Sequence, residues 1–492
     1  MGRGIAQMAA QAGSQVWLFD VQAGAAEAAR AALQGTWQTL VGKNRMEASQ
    51  MEDCLARVHL AGALTDLAPC DLVVEAIVER LDVKQRLFAD LEAIVQPDAV
   101  LATNTSSLSV TSIGAALKRP AQLAGYHFFN PVPLMKVVEV IAGLKTSATV
   151  CQRLTDYTRQ FGHTPVSAQD TPGFIVNHAG RGYGTEALRV VGERVADFAT
   201  IDRILKDQMG FKLGPFELMD LTALDVSHPV MESIYHQYFE EPRYRPSVIT
   251  AQRLAGGVVG KKVGEGFYAY DKGVAQVPAD VAAPTVAELP PVWVSPKAAR
   301  RAELYQLLKD LGAHIETAAA PSAAALILVA PLGLDVTTLA AVERLDASRT
   351  VGIDMMLDDA STRRRVLAHQ PRHPGRHARR RSRPVRQRRQ GRERGARQRW
   401  FRHAARGARP IVNIATDMCQ QGICSPADLD VAVTLGLGYP MGPLAMGDRI
   451  GPTNLLEILF NLQTVYGDPR YRPSPWLRRR GALGLSLTHE EA

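Results

Sequence analysis

The sequence predicts an α/β protein with an N-terminal doubly wound parallel sheet, an all-α domain, a second, degenerate α/β segment and a repeat of the all-α domain. Three observations support this order. Apolar strands and amphipathic helices alternate over 1–165, a pattern typical of a parallel sheet with helices on both faces. The pattern is helical from about 170 to 275, and two motifs of that helical region recur near the C-terminus.

The strands of the first region are predicted from short apolar runs. They lie at 15–20, 71–77 and 99–107, the last running into a loop, and at 124–143, where two strands flank a proline-rich turn. An amphipathic helix is predicted over 83–95, and 24–60 is predicted to be a helical insertion between strands. Together these elements predict a sheet built largely from parallel strands with helical crossovers.

The internal repeat indicates a duplicated helical domain. "GFKLGPFELMDLTA" (210–223) reappears as "GYPMGPLAMGDRIG" (438–451), and "EPRYRPS" (241–247) reappears as "DPRYRPS" (468–474), at offsets of 228 and 227. Two separated motifs at nearly one offset are the mark of a repeated unit. The predicted regions are a sheet domain (1–168), a helical domain (169–273), a linker (274–296), a degenerate α/β segment (297–362), an Arg-rich segment (363–409) and a second helical domain (410–492).

Composition narrows the class of protein. The chain has 492 residues, 46% hydrophobic and 22% charged, which is enough for two to four globular domains. Its longest apolar stretch (323–334) is too short to cross a bilayer, and the N-terminus has no signal-peptide pattern, so we expect a cytoplasmic protein that binds no membrane. Five cysteines without a Cys-x-x-Cys pair predict ordinary thiols and no metal site.

One block supplies the net charge of +8. Residues 363–409 hold 19 arginines, no lysine and one acid, whereas the rest of the chain has 38 basic and 48 acidic residues. Arginine-rich segments can bind nucleic acid through its phosphates, but such arms usually include lysine and lie at a terminus. Arg, Pro, His, Gly and Gln without Lys are typical of a GC-rich coding sequence read out of frame. We expect a frameshift-like or disordered segment, and keep nucleic-acid binding as an alternative.

The opening stretch, "MGRGIAQMAAQAGSQVWLFD", resembles part of a dinucleotide-binding unit. Free N–H groups at a helix N-terminus favour phosphate, and the last glycine of such a motif lets the helix pack closely on the sheet. Gly2 fits that position, and Asp20, at the end of the strand that follows, can accept bonds from ribose hydroxyls. Its charge would repel a 2′-phosphate, which favours NAD over NADP. A turn glycine and a capping aspartate are the alternative.

A histidine and a glutamate flank the proline-rich turn. If the two strands pair antiparallel about Pro133, His127 and Glu139 fall opposite one another. Oxidation of a secondary alcohol requires a base for the hydroxyl proton, and histidine has the unperturbed pKa nearest neutral. A neighbouring carboxylate would fix the imidazole tautomer and stabilise the imidazolium. A histidine satisfied within the core is the alternative.

Five motifs in order give a resemblance to a known family: "NTSSLSV", "YHFFNPVPLMKVVEV", "DTPGFIVN", "GFKLGPFELMD" and "GKKVGEGFY". Residues 1–271 and 410–475 resemble the 3-hydroxyacyl-CoA dehydrogenase family, and the length resembles its bacterial phenylacetate-degradation type. Family members carry a strand and a Gly-x-Gly-x-Met-Gly turn, of which "MG" here matches the last two positions. The resemblance therefore implies a Rossmann-like sheet whose first, central strand is missing from this sequence.

The resemblance also implies the site residues. His127 acts as base and Glu139 orients it, while Ser106 and Asn177 contact the substrate oxygen. The implied NAD contacts are Gly2, Asp20, Glu75, Arg80, Ser106, Asn130 and Lys262. Arg80 stands where lysine is usual, and His178 stands where many members have arginine. Lys43 and Arg45 are candidates for the phosphates of coenzyme A, with a solvated helix face as the alternative.

These inferences predict an NAD-dependent (S)-3-hydroxyacyl-CoA dehydrogenase that forms 3-oxoacyl-CoA. The phenylacetate type suggests a dicarboxylic substrate such as 3-hydroxyadipyl-CoA. The two helical copies are expected to pair within the chain, or the protein to form a homodimer, and the second copy is expected to have no catalytic role. The alternatives are an inactive, truncated relic of the family and a nucleic-acid-binding protein that uses the Arg-rich segment.

Overall fold

The computed structural model describes residues 1–280, 289–357, 362, 364–369 and 408–491. The chain forms two compact units. Unit 1 comprises Met1–His178 and Gln421–Leu437, and unit 2 comprises Ala179–Gln420 and Gly438–Ala492. A short part of the predicted second helical domain therefore belongs to the unit that contains the first sheet.

The elements are numbered in chain order. The strands are β1 Val16–Leu18, β2 Val58–Leu60, β3 Leu72–Glu75, β4 Val100–Thr103, β5 Leu123–Phe128, β6 Val137–Ala142, β7 Thr164–Gln169, β8 Tyr270–Asp271, β9 Val274–Ala275, β10 Val292–Val294, β11 Ile315–Glu316, β12 Leu326–Val329, β13 Thr350–Ile353 and β14 Leu367–His369. The helices are α1 Gly2–Gln11, α2 Ala25–Gly42, α3 Ala48–Ala56, α4 Leu81–Ile94, α5 Val110–Gly114, α6 Ala148–Gln160, α7 Val176–Ala179, α8 Arg181–Gly192, α9 Phe198–Met209, α10 Pro215–Thr222, α11 Leu224–Gln237, α12 Val248–Ala255, α13 Arg301–Asp310, α14 Val336–Val342, α15 Ala408–Gln420, α16 Pro426–Leu437, α17 Pro443–Ile450, α18 Pro452–Tyr466 and α19 Pro475–Leu483.

Unit 1 contains a five-stranded sheet in the order β3-β4-β5-β6-β7, in which only the β5–β6 pair is antiparallel. One of its faces packs in a core with α1 and α6, to which Val138 and Val140 of β6 contribute. Parallel strands buried on both faces read as continuous apolar runs, which explains why the sequence predicts this part of the sheet well. The prediction of a helical insertion over 24–60 is wrong at its end, because Val58–Leu60 pairs with β1 as a three-residue strand.

Unit 1 also contains a two-stranded sheet. Strands β1 and β2 form a separate parallel pair, and among the described residues β1 pairs only with β2 and β3 only with β4. A cavity of about 870 Å³ is lined by β1, by β3 and by the apolar side of α1. Its lining combines apolar residues of these elements with the charged residues Arg3, Asp20 and Glu75.

Unit 2 contains a second five-stranded sheet. Its order is β11-β10-β12-β13-β14, with β14 antiparallel to β13 and the other pairs parallel. The strand β10 precedes the helix α13 and lies between β11 and β12. Since β10 begins at Val292, this α/β segment starts inside the predicted linker 274–296 rather than at 297.

The ends of the predicted Arg-rich segment belong to the folded part of unit 2. Residues 367–369 form β14, and Arg364 pairs with Asp207 and Asp280, each at 2.9 Å. At the other end Arg409 pairs with Asp354 at 3.0 Å and α15 begins at Ala408. Residues 363 and 370–407, which carry most of the predicted segment, lie outside the described residues.

The helical repeat is present element by element. Helices α9 and α16, α10 and α17, and α11 and α18 begin at an offset of 228, and α12 and α19 begin at an offset of 227, in agreement with the two motifs. Both α10 and α17 begin with a proline that follows a glycine, a favoured helix start. Within the part of the chain that the structure describes, no helix is both long and apolar enough to span a bilayer.

Candidate active site

The candidate active site begins with the antiparallel pair β5–β6. Its register places His127 directly opposite Glu139, as the turn length predicts. The imidazole Nδ1 lies 2.6 Å from Glu139 Oε2, and both side chains are buried. A short bond to a carboxylate fixes the imidazole with Nδ1–H donating and leaves Nε2 as the acceptor. The ring is also packed against Phe129 and Phe174, whose centroids lie 4.4 and 5.8 Å away.

The second oxygen of Glu139 is held by the backbone. The N–H groups of Ile175 and Val176 donate to Oε1 at 2.9 and 2.8 Å. The preceding residues Gly173 and Phe174 both have positive φ, 80° and 48°, and this turn directs the two amides at the carboxylate. Left-handed backbone is costly for a residue such as phenylalanine. The buried carboxylate is thus fixed at both oxygens, which fixes the imidazole in turn.

Asn177 is the next residue in the chain after Val176. It is the second residue of the short helix α7, which begins at Val176. The segment "DTPGFIVN" therefore supplies both the support for Glu139 and the predicted substrate contact. Asp170, at the start of this segment, accepts bonds from Ser109 Oγ and from the N–H groups of Val110 and Thr111, which ties the segment to the start of α5.

Ser106 lies in the loop that follows β4. Because β4 and β5 are parallel neighbours with Thr103 opposite Gly125, this loop and His127 belong to the same carboxyl edge of the sheet. Asn104 Oδ1 accepts a bond from Phe128 N at 2.8 Å, so the loop is attached to the residue next to His127. Ser106 itself is partly exposed, as a substrate or cofactor contact requires.

Glu79 binds this loop, and it is not among the site residues predicted from the sequence. Its Oε1 accepts bonds from Thr105 Oγ1 at 2.6 Å, Ser106 N at 2.9 Å and Ser107 N at 3.0 Å. Burial acts to raise the pKa of Glu79, but the Thr105 hydroxyl and the charge of Lys84 lower it to about 2. Glu79 is therefore ionised at neutral pH and gathers the "NTSS" loop around one oxygen.

Lys84 is the buried cation beneath the loop. Its Nζ lies 2.7 Å from Glu75 Oε1 and 3.1 Å from Glu79 Oε2, and its side chain is 1% exposed. Glu75 also accepts bonds from Thr103 Oγ1 and Ile77 N, so both of its oxygens are engaged by protein donors. Arg80, the predicted cofactor contact, precedes α4 and has an exposed side chain that pairs with Asp82 at 2.8 Å.

Three of the predicted dinucleotide residues of unit 1 line one cavity. Gly2, Asp20 and Glu75 all line the 870 Å³ cavity. Gly2 is the first residue of α1, whose leading N–H groups favour phosphate, and Asp20 is an exposed carboxylate just beyond β1. A helix N-terminus and a strand-end carboxylate on one cavity fit the phosphates and a ribose of a dinucleotide.

The remaining predicted residues do not line this cavity. Asn130 is exposed two residues beyond β5, and Lys43 and Arg45 are exposed at the C-terminal end of α2. Lys262 belongs to unit 2, where it pairs with Asp225. No group of three or more metal-ligating side chains occurs among the residues described.

Comparison with known proteins agrees with this geometry. Residues 1–171 match the 3-hydroxyacyl-CoA dehydrogenase NAD binding domain, and residues 173–270 and 403–488 match the C-terminal domain of the same family. A 3-hydroxyadipyl-CoA dehydrogenase of Escherichia coli is 36% identical over 98% of this chain and 96% of its own length. Human mitochondrial hydroxyacyl-coenzyme A dehydrogenase is 39% identical over 55% of this chain and 88% of its own.

A solved structure is similar to this chain over nearly its full length. The crystal structure of an Escherichia coli 3-hydroxybutyryl-CoA dehydrogenase matches with a TM-score of 0.85 and 34% identity, and covers 98% of this chain and 96% of that chain. These matches give no support to the alternatives of an inactive relic and of a nucleic-acid-binding protein. The chain belongs to the 3-hydroxyacyl-CoA dehydrogenase family, whose members are NAD-dependent oxidoreductases.

Proposed function

We propose that His127 is the proton-transferring residue of this dehydrogenase. In the oxidation, Nε2 accepts the proton of the substrate's 3-hydroxyl group, and bound NAD serves as the hydride acceptor. In the reverse direction the imidazolium returns the proton to the oxygen of the 3-oxo group. The observation that carries the proposal is the 2.6 Å contact between His127 Nδ1 and Glu139 Oε2, because it fixes Nε2 as the acceptor.

Glu139 is proposed to orient the imidazole and to stabilise its charged form. The carboxylate is fully buried and accepts bonds at both oxygens. A carboxylate held in this way favours the imidazolium that forms when the hydroxyl proton is transferred. General acid–base catalysis of this kind contributes on the order of 10² to 10⁴ in rate.

Ser106 and Asn177 are proposed to hold the substrate oxygen. Ser106 is partly exposed at the sheet edge that carries His127, and Asn177 directly follows the amide that supports Glu139. A hydroxyl and an amide at these places can orient the alcohol and stabilise negative charge that develops on its oxygen. Glu79 is proposed to position Ser106 through the bond from its N–H.

The proposed cofactor contacts are the residues that the resemblance implies. In unit 1 they are Gly2, Asp20, Glu75, Arg80, Ser106 and Asn130, and in unit 2 Lys262. The free amides at the start of α1 would bind phosphate, and the Asp20 carboxylate would accept ribose hydroxyls. Because both oxygens of Glu75 already accept protein bonds, its proposed contribution is to fix Lys84 and the strand end beneath the cofactor.

For the substrate, we propose 3-hydroxyadipyl-CoA, with Lys43 and Arg45 as contacts for the phosphates of coenzyme A. Support comes from the Escherichia coli relative of that name, which matches over nearly the full length of both chains. The test compares kcat/KM for 3-hydroxyadipyl-CoA and 3-hydroxybutyryl-CoA. A higher value for the dicarboxylic substrate supports the proposal, and a higher value for 3-hydroxybutyryl-CoA contradicts it.

We also propose that pairing of the two helical copies within one chain takes the place of a homodimer. The support is a set of contacts between the copies in unit 2, in which Arg243 of the first copy binds Asp417 and Arg470 of the second binds Glu186. Light scattering of the purified chain should give the mass of one chain. A mass of two chains would contradict this.

The variant His127→Gln tests the catalytic assignment. It should lower kcat by at least about 100-fold, because glutamine cannot take up the proton, while NADH binding measured by fluorescence titration stays within about twofold. The matched control is His59→Gln, on the exposed side of β2, which should retain the wild-type kcat. Wild-type kcat in His127→Gln would reject the proposed role.

A further inference from the structure

One helix of the second copy packs on the sheet that carries the candidate site. By the repeat, α16 is the counterpart of α9, yet residues 421–437 belong to unit 1. The N–H of Gln169, the last residue of β7, donates to Ile423 O at 2.8 Å, which anchors the start of this segment. The inward-facing side of α16 is a single stripe of buried residues, namely Pro426, Leu429, Ala432, Val433 and Gly436.

The stripe covers the face of β6 that carries Glu139. Side chains alternate along a strand, and Val138 and Val140 face the core with α1 and α6. Val137, Glu139 and Ile141 therefore face the other way. A Cβ placed on Gly436 would lie 3.4 Å from Val137 Cγ1, so the end of α16 meets the Glu139 face.

Gly436 also contacts the segment that supports Glu139. A Cβ at this position would lie 2.9 Å from Val176 Cγ2 and 3.2 Å from Val176 Cγ1, and real Cβ contacts essentially never come within 3.0 Å. Valine is stiff at χ1, so its methyl groups cannot rotate away freely. The backbone N–H of this same valine donates to Glu139 Oε1 at 2.8 Å. A continuous chain of contacts thus runs from Gly436 through Val176 to the Glu139–His127 pair.

We propose that Gly436 is a positioning residue for the reaction: the absence of a side chain at 436 sets the place of the Val176 amide, and through it the orientation of Glu139 and His127. The duplicated helical domain would then take part in catalysis by shaping the site, contrary to the expectation that it has no such role. The inference rests on the proposed roles of His127 and Glu139.

The variant Gly436→Ala tests the proposal. Alanine is the better helix former by about 1 kcal/mol, so a loss of activity cannot come from a weaker helix. We expect kcat to fall about tenfold, since small displacements of catalytic groups are costly, with KM nearly unchanged and the midpoint of the kcat–pH profile shifted. The matched control is Gly35→Ala in α2, where an added Cβ meets no atom within 4 Å, and its kcat should equal that of the wild type.

Val176→Ala tests the same contact from the other side. It removes the methyl groups that meet α16 and should lower kcat severalfold. The double variant Gly436→Ala/Val176→Ala restores the packed volume, so its kcat should exceed that of either single variant. This comparison keeps the test decisive even where one single variant folds poorly, as judged by its circular-dichroism melting curve.

The inference is overturned if Gly436→Ala and Val176→Ala each keep the wild-type kcat and pH profile, or if their losses multiply in the double variant. His127→Gln is assayed alongside. If it keeps activity, the proposed function itself fails. If it loses activity while both packing variants remain wild-type, the catalytic assignment stands and only the role of Gly436 is rejected.

Discussion

Arg243 and Arg470 occupy equivalent positions in the two helical copies and make the same kind of contact in opposite directions. Arg243, in the first copy, pairs with Asp417 and donates to Arg472 O at 2.9 Å. Arg470, in the second copy, pairs with Glu186 at 3.4 Å and donates to Pro242 O at 3.3 Å. Each "PRYRPS" motif thus contacts the other helical copy. The two copies therefore pair within one chain in an approximately two-fold arrangement.

This pairing should contribute strongly to stability. Arg470 is 8% exposed and Glu186 is 1% exposed, so Arg470→Ala removes a buried cation from beside a buried carboxylate. We expect a loss of about 3 kcal/mol or more in the free energy of unfolding, measured by urea denaturation. Arg159→Ala, which breaks an exposed pair with Asp156, is the control and should cost at most about 1 kcal/mol. Equal effects of the two variants would contradict the account.

Glu79 should make the free energy of unfolding depend on pH in the acid range. Its pKa in the folded protein is about 2, below the value of about 4.3 for an unfolded glutamate. Stability from this group is therefore complete above about pH 4.5 and is lost as the pH falls toward about 2. The difference in unfolding free energy between wild type and Glu79→Gln should shrink over that range.

Urea denaturation of both proteins at pH 6, 4 and 3 measures this difference, with Glu52→Gln, an exposed substitution in α3, as a matched control. A difference between wild type and Glu79→Gln that stays constant down to the lowest pH would show that the Glu79 carboxylate is not stabilised by the "NTSS" loop.

The central pair of the site is predictable because it depends on local geometry. His127 and Glu139 flank a short proline-rich turn, and their spacing fixes the antiparallel register. The repeat is equally predictable from the sequence, since α9 and α16 begin at the offset that the motifs predict.

Other parts depend on contacts that no local pattern reveals. The resemblance implies a cofactor contact at Arg80, but the cation that the fold buries near the strand end is Lys84. Lys84 lies on the buried stripe of α4 with Phe88 and Leu91, and a lysine at that spacing among apolar residues is the available signal. The Gly436–Val176 contact joins positions far apart in the chain, and nothing near either position indicates it.

The two short strands β2 and β10 escape prediction for a related reason. Each has three residues, too few to establish a period of two. Val292–Val294 is recognisable as a strand of the second sheet only through its pairing with β11 and β12.

The central claim is that His127 and Glu139 act as one unit in proton transfer, and a double-mutant cycle tests it most directly. The kcat of His127→Gln, Glu139→Gln and the double variant is measured with saturating NAD and 3-hydroxyacyl-CoA. Residues that act together give non-additive losses, so the double variant should be no slower than His127→Gln alone. A double variant whose loss equals the product of the two single losses would show that the residues act independently.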